Sequence, residues 1–251
     1  MSIIIGRLIK RSNKKKYIKI KRNQLLILDS LLENGGYDKK YIDRSNKIRY
    51  SEHSGNLGTT QTTIDRIIVS AKTNREDKDD SEILLPHDLT DTYSYKYFFH
   101  THPPTPKPGG RAKNGILYEF PSISDIFHFI DHYNMGNTLG SIVVAAEGYY
   151  IIYPSNFTIK KIKYDIDIEE ELYNKMNEGN NIIQQKALDR YGTKFSEEYF
   201  YKHIATDKTY LHLFNKIINK YLNNQIKVII KHRTKDNLTN KWILKNLYLP
   251  I

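Results

Sequence analysis

The chain has 251 residues, a formal charge of +11 and no cysteine, which excludes disulfide frameworks and thiolate metal sites and leaves room for one large domain with a sizeable core. An apolar content of 39% with 20 tyrosines excludes a disordered chain. No apolar run reaches the ~18 residues that cross a bilayer, and Met1 to Ile9 is too short for a secretory apolar region, so the sequence reads as soluble and intracellular, with no membrane partner.

Residues 1–22 form a basic leader. Nine Lys or Arg fall between Arg7 and Arg22, and no acidic residue precedes Asp29. Such a block, here residues 7–22, contacts nucleic acid, an anionic surface or an acidic partner, or stays a solvated arm. The abundance of Ile, Asn, Lys and Tyr matches AT-rich codons, so the charge alone does not identify a nucleic-acid binder. Gln24 to Leu32 reads as a short helix stopped by Asn34-Gly35-Gly36. Two β-like stretches lie between Leu57 and Ser70, the clearer being Ile64 to Val69. Residues 73–82 read as a charged loop without ligand spacing.

Tyr93 to Phe99 alternates aromatics as a strand does and leads into His100-Thr101-His102-Pro103. Pro103 to Gly110 is rich in Pro and Gly and is expected to be irregular. Ile123 to Tyr133 has helical apolar spacing. Ser141 to Ala146 and Tyr149 to Tyr153 read as strands joined at Glu147-Gly148. Beyond Pro154 the pattern is mainly helical, over Asp167 to Tyr191 and Ser196 to Asn223. There Phe200, Ile204, Leu211, Phe214, Ile218 and Tyr221 form an apolar stripe assigned to core packing. Ile226 to Lys231 and Trp242 to Leu249 are expected to close the chain as a β-hairpin.

The chemistry concentrates around His100 and His102. One residue apart on a strand, they project to the same side. An aspartate arriving from elsewhere makes a third ligand, and Ser122-Ile123-Ser124-Asp125 supplies one at a helix start, where it also reads as a capping box. Two imidazoles, a carboxylate and an open position are the donor set of a catalytic zinc site, whereas structural sites close all four positions. A second pair, His128 and His132, shares a helix face and faintly echoes the inverzincin motif. Asp131 stands in place of that motif's Glu and no distal ligand follows, so the pair reads as structural.

The order Glu52, then His100-x-His102-Pro103, then Ser122-x-x-Asp125 resembles the JAMM motif of the MPN+/JAB1 metalloprotease family, which includes deubiquitinases and deneddylases. Glu52-His53-Ser54-Gly55-Asn56-Leu57-Gly58 resembles the family's Glu-x-x-Gly-x-Leu-x-Gly segment, and the resemblance covers roughly residues 20–154. It implies that His100, His102 and Asp125 bind one Zn²⁺ per chain. It further implies that water fills the fourth position, that Glu52 deprotonates that water and passes the proton to the leaving amine, and that Ser122 hydrogen-bonds the oxyanion. Glu33 is the nearest upstream rival to Glu52. One departure is a long insert, residues 104–121, between the motif's proline and its serine. Placed at the mouth of the site, it is expected to select or occlude substrate.

The expected fold is α/β in the layered α+β sense: an MPN/JAB-like mixed β-sheet flanked by helices over residues 23–154, with a mainly helical extension over 155–251. The expected activity is a zinc isopeptidase acting on ubiquitin or ubiquitin-like conjugates, with an activating protein partner in some relatives. The rival readings are a catalytically silent MPN scaffold and a basic nucleic-acid-binding protein. The composition also fits a large DNA virus or an intracellular microbe, hence a host cytoplasm or a virion.

Overall fold

Alternation between two buried faces organises the molecule. In the computed structural model, which describes residues 17–34, 40–42, 48–50, 53–59, 62–69, 95–102, 108–136 and 138–251, the chain runs as follows: β1 (Tyr17–Ile20), α1 (Arg22–Asn34), β2 (Lys40–Ile42), β3 (Ile48–Tyr50), β4 (Ser54–Thr59), β5 (Ile64–Val69) and β6 (Tyr97–Thr101). Then come α2 (Ile123–Met135), β7 (Gly140–Val144), β8 (Gly148–Pro154), α3 (Glu169–Tyr191), the single turn α4 (Glu197–Tyr199) and α5 (Lys208–Tyr221). Four strands close the chain: β9 (Ile226–His232), β10 (Thr234–Lys235), β11 (Trp242–Ile243) and β12 (Leu247–Pro250).

The central sheet has six strands in the order β5-β4-β6-β7-β8-β9. Only β6 and β7 run parallel, with His100 beside Val143 and Thr101 beside Val144. A parallel neighbour needs a crossover, and the chain between β6 and β7 supplies α2. Phe98, Val143, Tyr150 and Ile152 therefore point to the face covered by α2, α3 and α5. Tyr97, Phe99, Ile142, Val144, Tyr149 and Ile151 point to the other, under α1 and the β1–β12 pair. His100 follows Phe98 by two residues, so the period of the strand puts it on the α2 face. Gly55, central in β4, makes room for this packing: a Cβ there would meet the Ile68 carbonyl oxygen at 1.9 Å and the Phe99 ring at 2.8 Å.

The layered mixed sheet expected from the sequence is present, as are the expected helices over α1, α2 and α3. The closing hairpin is reduced to a short antiparallel pair, Thr234–Lys235 with Trp242–Ile243. Ile226–His232 instead pairs antiparallel with β8 as the sixth strand of the main sheet. Leu247–Pro250 pairs antiparallel with β1, with Ile18 opposite Leu249 and Ile20 opposite Leu247. Residues 155–251 thus complete the sheet and its helical cover rather than hanging from them. The helix expected over Ser196 to Asn223 is broken: α4 runs into a π-helical turn over Phe200–Ile204, and α5 starts afresh with Asp207 as its cap. Phe200, Ile204, Phe214 and Ile218 are buried in the core as read, with Leu211 and Tyr221 packed on its edge.

The leader also changes boundary. Ile18 and Ile20 are wholly buried and Arg22 opens α1, so residues 17–22 belong to the fold, and the rest of the leader lies outside the described residues. So does the 73–82 loop. Among the described residues no helix is long and apolar enough to cross a membrane.

Candidate metal centre

β6 ends where its two histidines meet α2. His100 is the fourth residue of the strand and His102 follows its last. The turn to α2 is fixed by a capping box. The Asp125 N–H donates to Ser122 Oγ (3.1 Å), and the Ser122 N–H donates to Asp125 Oδ2 (2.6 Å). Both orphan amides of the first turn are thereby satisfied. The same box presents the Asp125 carboxylate to the histidines, so the capping and ligand readings of Ser122-x-x-Asp125 coincide.

His100 Nε2 lies 3.2 Å from His102 Nε2 and 3.2 Å from Asp125 Oδ1, and His102 Nε2 lies 3.3 Å from Asp125 Oδ2. Zinc bonds of about 2.0–2.1 Å to nitrogen and oxygen give tetrahedral edges of about 3.3–3.4 Å, close to the His100–His102 and His100–Asp125 Oδ1 separations, while His102 faces the other carboxylate oxygen. All three residues are buried, and among the described residues theirs is the cluster able to hold a metal ion. Asp125 Oδ1 has no hydrogen-bond donor among the described residues, an orphaned acceptor that a cation would satisfy. Burial pushes the Asp125 carboxyl up, but the adjoining His100 and His102 imidazoles outweigh it and hold the group well below the usual carboxylate range. The donor set, spacing and burial fit zinc.

Ser122 is half-buried at the cap of α2. Its oxygen accepts the Asp125 amide and lies 2.7 Å from Ser124 Oγ. Glu52 lies outside the described residues. His53, the next residue, donates its N–H to Thr101 Oγ1 (2.9 Å) and accepts the Thr101 N–H (2.8 Å), so the chain reaches the site's edge one residue after Glu52. The rival Glu33 is exposed on α1, the helix on the opposite face of the sheet. His128 and His132 pack tilted against each other, with Phe98 edge-on to His128 and tilted to His132. Burial pushes His132 below its ordinary value, as expected of a packed neutral ring.

Of the insert, residues 104–107 lie outside the described residues. The rest is held as core: Ala112, Leu117, Tyr118 and Phe120 are buried, and Ala112–Asn114 forms a 3-10 turn. Gln184 on α3 accepts the Leu117 and Tyr118 N–H groups (3.0 and 3.1 Å) and donates to the Tyr118 carbonyl (2.8 Å). Arg111 pairs with buried Glu119, and the Glu119 N–H donates to Glu147 Oε1 (2.6 Å). Residues 108–121 are therefore held against α3 and the β7–β8 turn.

The sequence reading passed over Glu147 as a turn residue, although a lone acid in the apolar Ser141–Tyr153 hairpin was the available signal. It is wholly buried. Burial raises its carboxyl, opposed in part by the Tyr150 hydroxyl, its own backbone, and the charges of His102 and Arg111.

No family model matches this chain, and no solved structure does. It is similar to the uncharacterized protein R413 of Acanthamoeba polyphaga mimivirus, at 32% identity over 249 residues, covering 93% of this chain and 65% of the relative. The chain thus spans less than two thirds of the length of the viral relative it matches.

Proposed function

We propose that this chain is a zinc hydrolase of the JAMM type that cleaves isopeptide bonds in ubiquitin or ubiquitin-like conjugates. The observation that carries the reading is the buried trio His100, His102 and Asp125, whose ligand atoms lie within 4.8 Å of one another on a strand end and a capped helix start. When bound, zinc supplies Lewis acidity and a water of lowered pKa, about 7. His100, His102 and Asp125 hold it and leave one position open. Ser122 Oγ accepts the Asp125 amide and lies 2.7 Å from Ser124 Oγ; with Ser124 as the donor of that pair, the Ser122 proton is available to an oxyanion. Glu52 takes the proton of the attacking water and returns it to the leaving amine, a role that rests on the motif resemblance. The 104–121 insert, by its place in the motif, selects an extended substrate segment such as a conjugate's C-terminal tail, a role that also rests on the resemblance. The viral source of the relative supports a role in editing a host's conjugates.

The test is zinc stoichiometry on the wild-type chain and on His100→Ala/His102→Ala, with di-ubiquitin cleavage on the same samples. The expected result is near one zinc per wild-type chain, with zinc and cleavage lost together in the variant. Zinc without cleavage keeps the centre but removes the di-ubiquitin substrate, or shows that an activating partner is needed. No zinc in a wild-type sample prepared without chelators overturns the site and returns the chain to the scaffold or nucleic-acid reading.

A further inference from the structure

We propose that Glu147, at the β7–β8 turn, is a positioning residue that sets the two ligand-bearing segments of the metal centre at their working separation. His102 donates its backbone N–H to the Val144 carbonyl (2.8 Å), at the start of that turn. Three residues on, Glu147 Oε1 accepts the backbone N–H of Glu119 (2.6 Å) and the Tyr150 hydroxyl (2.8 Å). Glu119 precedes the Ser122 cap by three residues and Asp125 by six. One turn thus grips the histidine segment through its backbone and the aspartate segment through one side chain.

The turn itself is immobilised. Ala145 N–H donates to the Gly148 carbonyl (2.9 Å). The buried Arg233 guanidinium donates to the Ala146 and Ala145 carbonyls (2.9 and 3.2 Å), and the Tyr201 hydroxyl donates to Ala146 (3.0 Å). Against that frame a Glu is a poor choice for stability alone. Its Oε2 is buried with no hydrogen-bond partner among the described residues, and burying a carboxylate with a spare acceptor is costly. What the side chain does provide is one oxygen, Oε1, that takes both the Glu119 amide and the Tyr150 hydroxyl and so holds the chain leading to Ser122. Groups one step behind a metal's ligands orient them, and their loss typically weakens metal binding about 10–100-fold.

The role holds only if His100, His102 and Asp125 bind zinc as proposed above. It is tested on the full chain by zinc affinity, read by competition with a chromophoric chelator, beside thermal unfolding of the metal-free proteins. Glu147→Ala, and the milder Glu147→Asp whose shorter arm no longer reaches both donors, are expected to bind zinc about 10–100-fold more weakly. Glu147→Gln keeps an Oε1 acceptor and is expected to stay close to wild type. Asn215→Ala, which removes a remote side-chain tie to the Val228 backbone, is expected to lower the melting temperature with zinc affinity unchanged. Wild-type zinc affinity in Glu147→Asp or Glu147→Ala, whatever the melting temperature, overturns the proposal. Absence of zinc from the wild-type chain is a separate result, and it overturns the metal centre itself.

Discussion

Single residues here carry more than one duty. Asp125 closes a capping box with Oδ2 and turns Oδ1 toward His100 Nε2, 3.2 Å away, and Ser122 Oγ both accepts the Asp125 amide and pairs with Ser124 Oγ. The capping duty was legible in the sequence because Ser-x-x-Asp ahead of an apolar run is a helix-start pattern. His232 was not legible, since nothing local marks it. Half-buried at the end of β9, it has no hydrogen-bond partner among the described residues for either ring nitrogen. Burial, then the charges of Lys208 and Lys231, push it down to about 4. The ordinary value is about 6.5, so between the two values the unfolded chain binds the proton that the folded chain refuses. Stability from this residue is therefore complete above about pH 6.5 and is lost as pH falls toward 4. The metal-free His232→Gln variant is expected to lose less melting temperature than wild type between pH 7 and 4.5. Equal losses in the two proteins would show that other groups set the acid limb.

At the scale of elements, the fold is held by ties that cross it. Asp29 on α1 accepts Arg233 Nη1 (2.6 Å), Arg22 Nη1 (3.0 Å) and the Tyr149 hydroxyl (2.8 Å). Arg233, just after β9, is 6% exposed. Removing one partner of a buried pair leaves an undercompensated charge and costs about 3–5 kcal/mol. Arg233→Met is expected to lose that much in urea unfolding, since it also strips a donor from the Ala145 and Ala146 carbonyls. Neutralising Asp29 in the same molecule, as Asp29→Asn/Arg233→Met, is expected to recover part of the loss. A double variant no more stable than Arg233→Met would place the cost in the carbonyls rather than the charge. Sequence periodicity gave no hint of this tie, because residues 29 and 233 meet only after β9 has docked on β8. The burial of the insert was not legible for a related reason. Its Pro and Gly residues announce irregular backbone, but the burial of Tyr118 and Phe120 is set by α3 and α5, whose position the local pattern does not encode.

At the scale of the whole molecule, strand identity was readable and strand partnership was not. An apolar pattern shows that Ile226–His232 and Leu247–Pro250 are strands, and proximity along the chain then favours pairing them as a hairpin. Their partners are instead β8 and β1, and the second closes nearly the whole chain into a ring. That closure divides the basic leader at Tyr17. Arg7, Lys10, Arg11 and Lys14 to Lys16 precede β1 and carry most of the leader's charge. Tyr17–Ile20 is a strand whose Ile18 and Ile20 are wholly buried, and the Lys19 N–H also donates to the Thr62 carbonyl (2.8 Å). Burying one such Ile is worth about 1.5–3 kcal/mol, so losing both costs about 3–6 kcal/mol before the ladder to β12 is counted. A chain lacking residues 1–16 is expected to unfold cooperatively near the wild-type midpoint, and any steeply salt-dependent nucleic-acid binding carried by the leader is expected to weaken in it. A chain lacking residues 1–21 is expected to lose several kcal/mol in urea unfolding and to expose Leu247 and Leu249. Equal stability of the two truncations would show that β1 adds nothing to the folded state and that β12 holds its place without it.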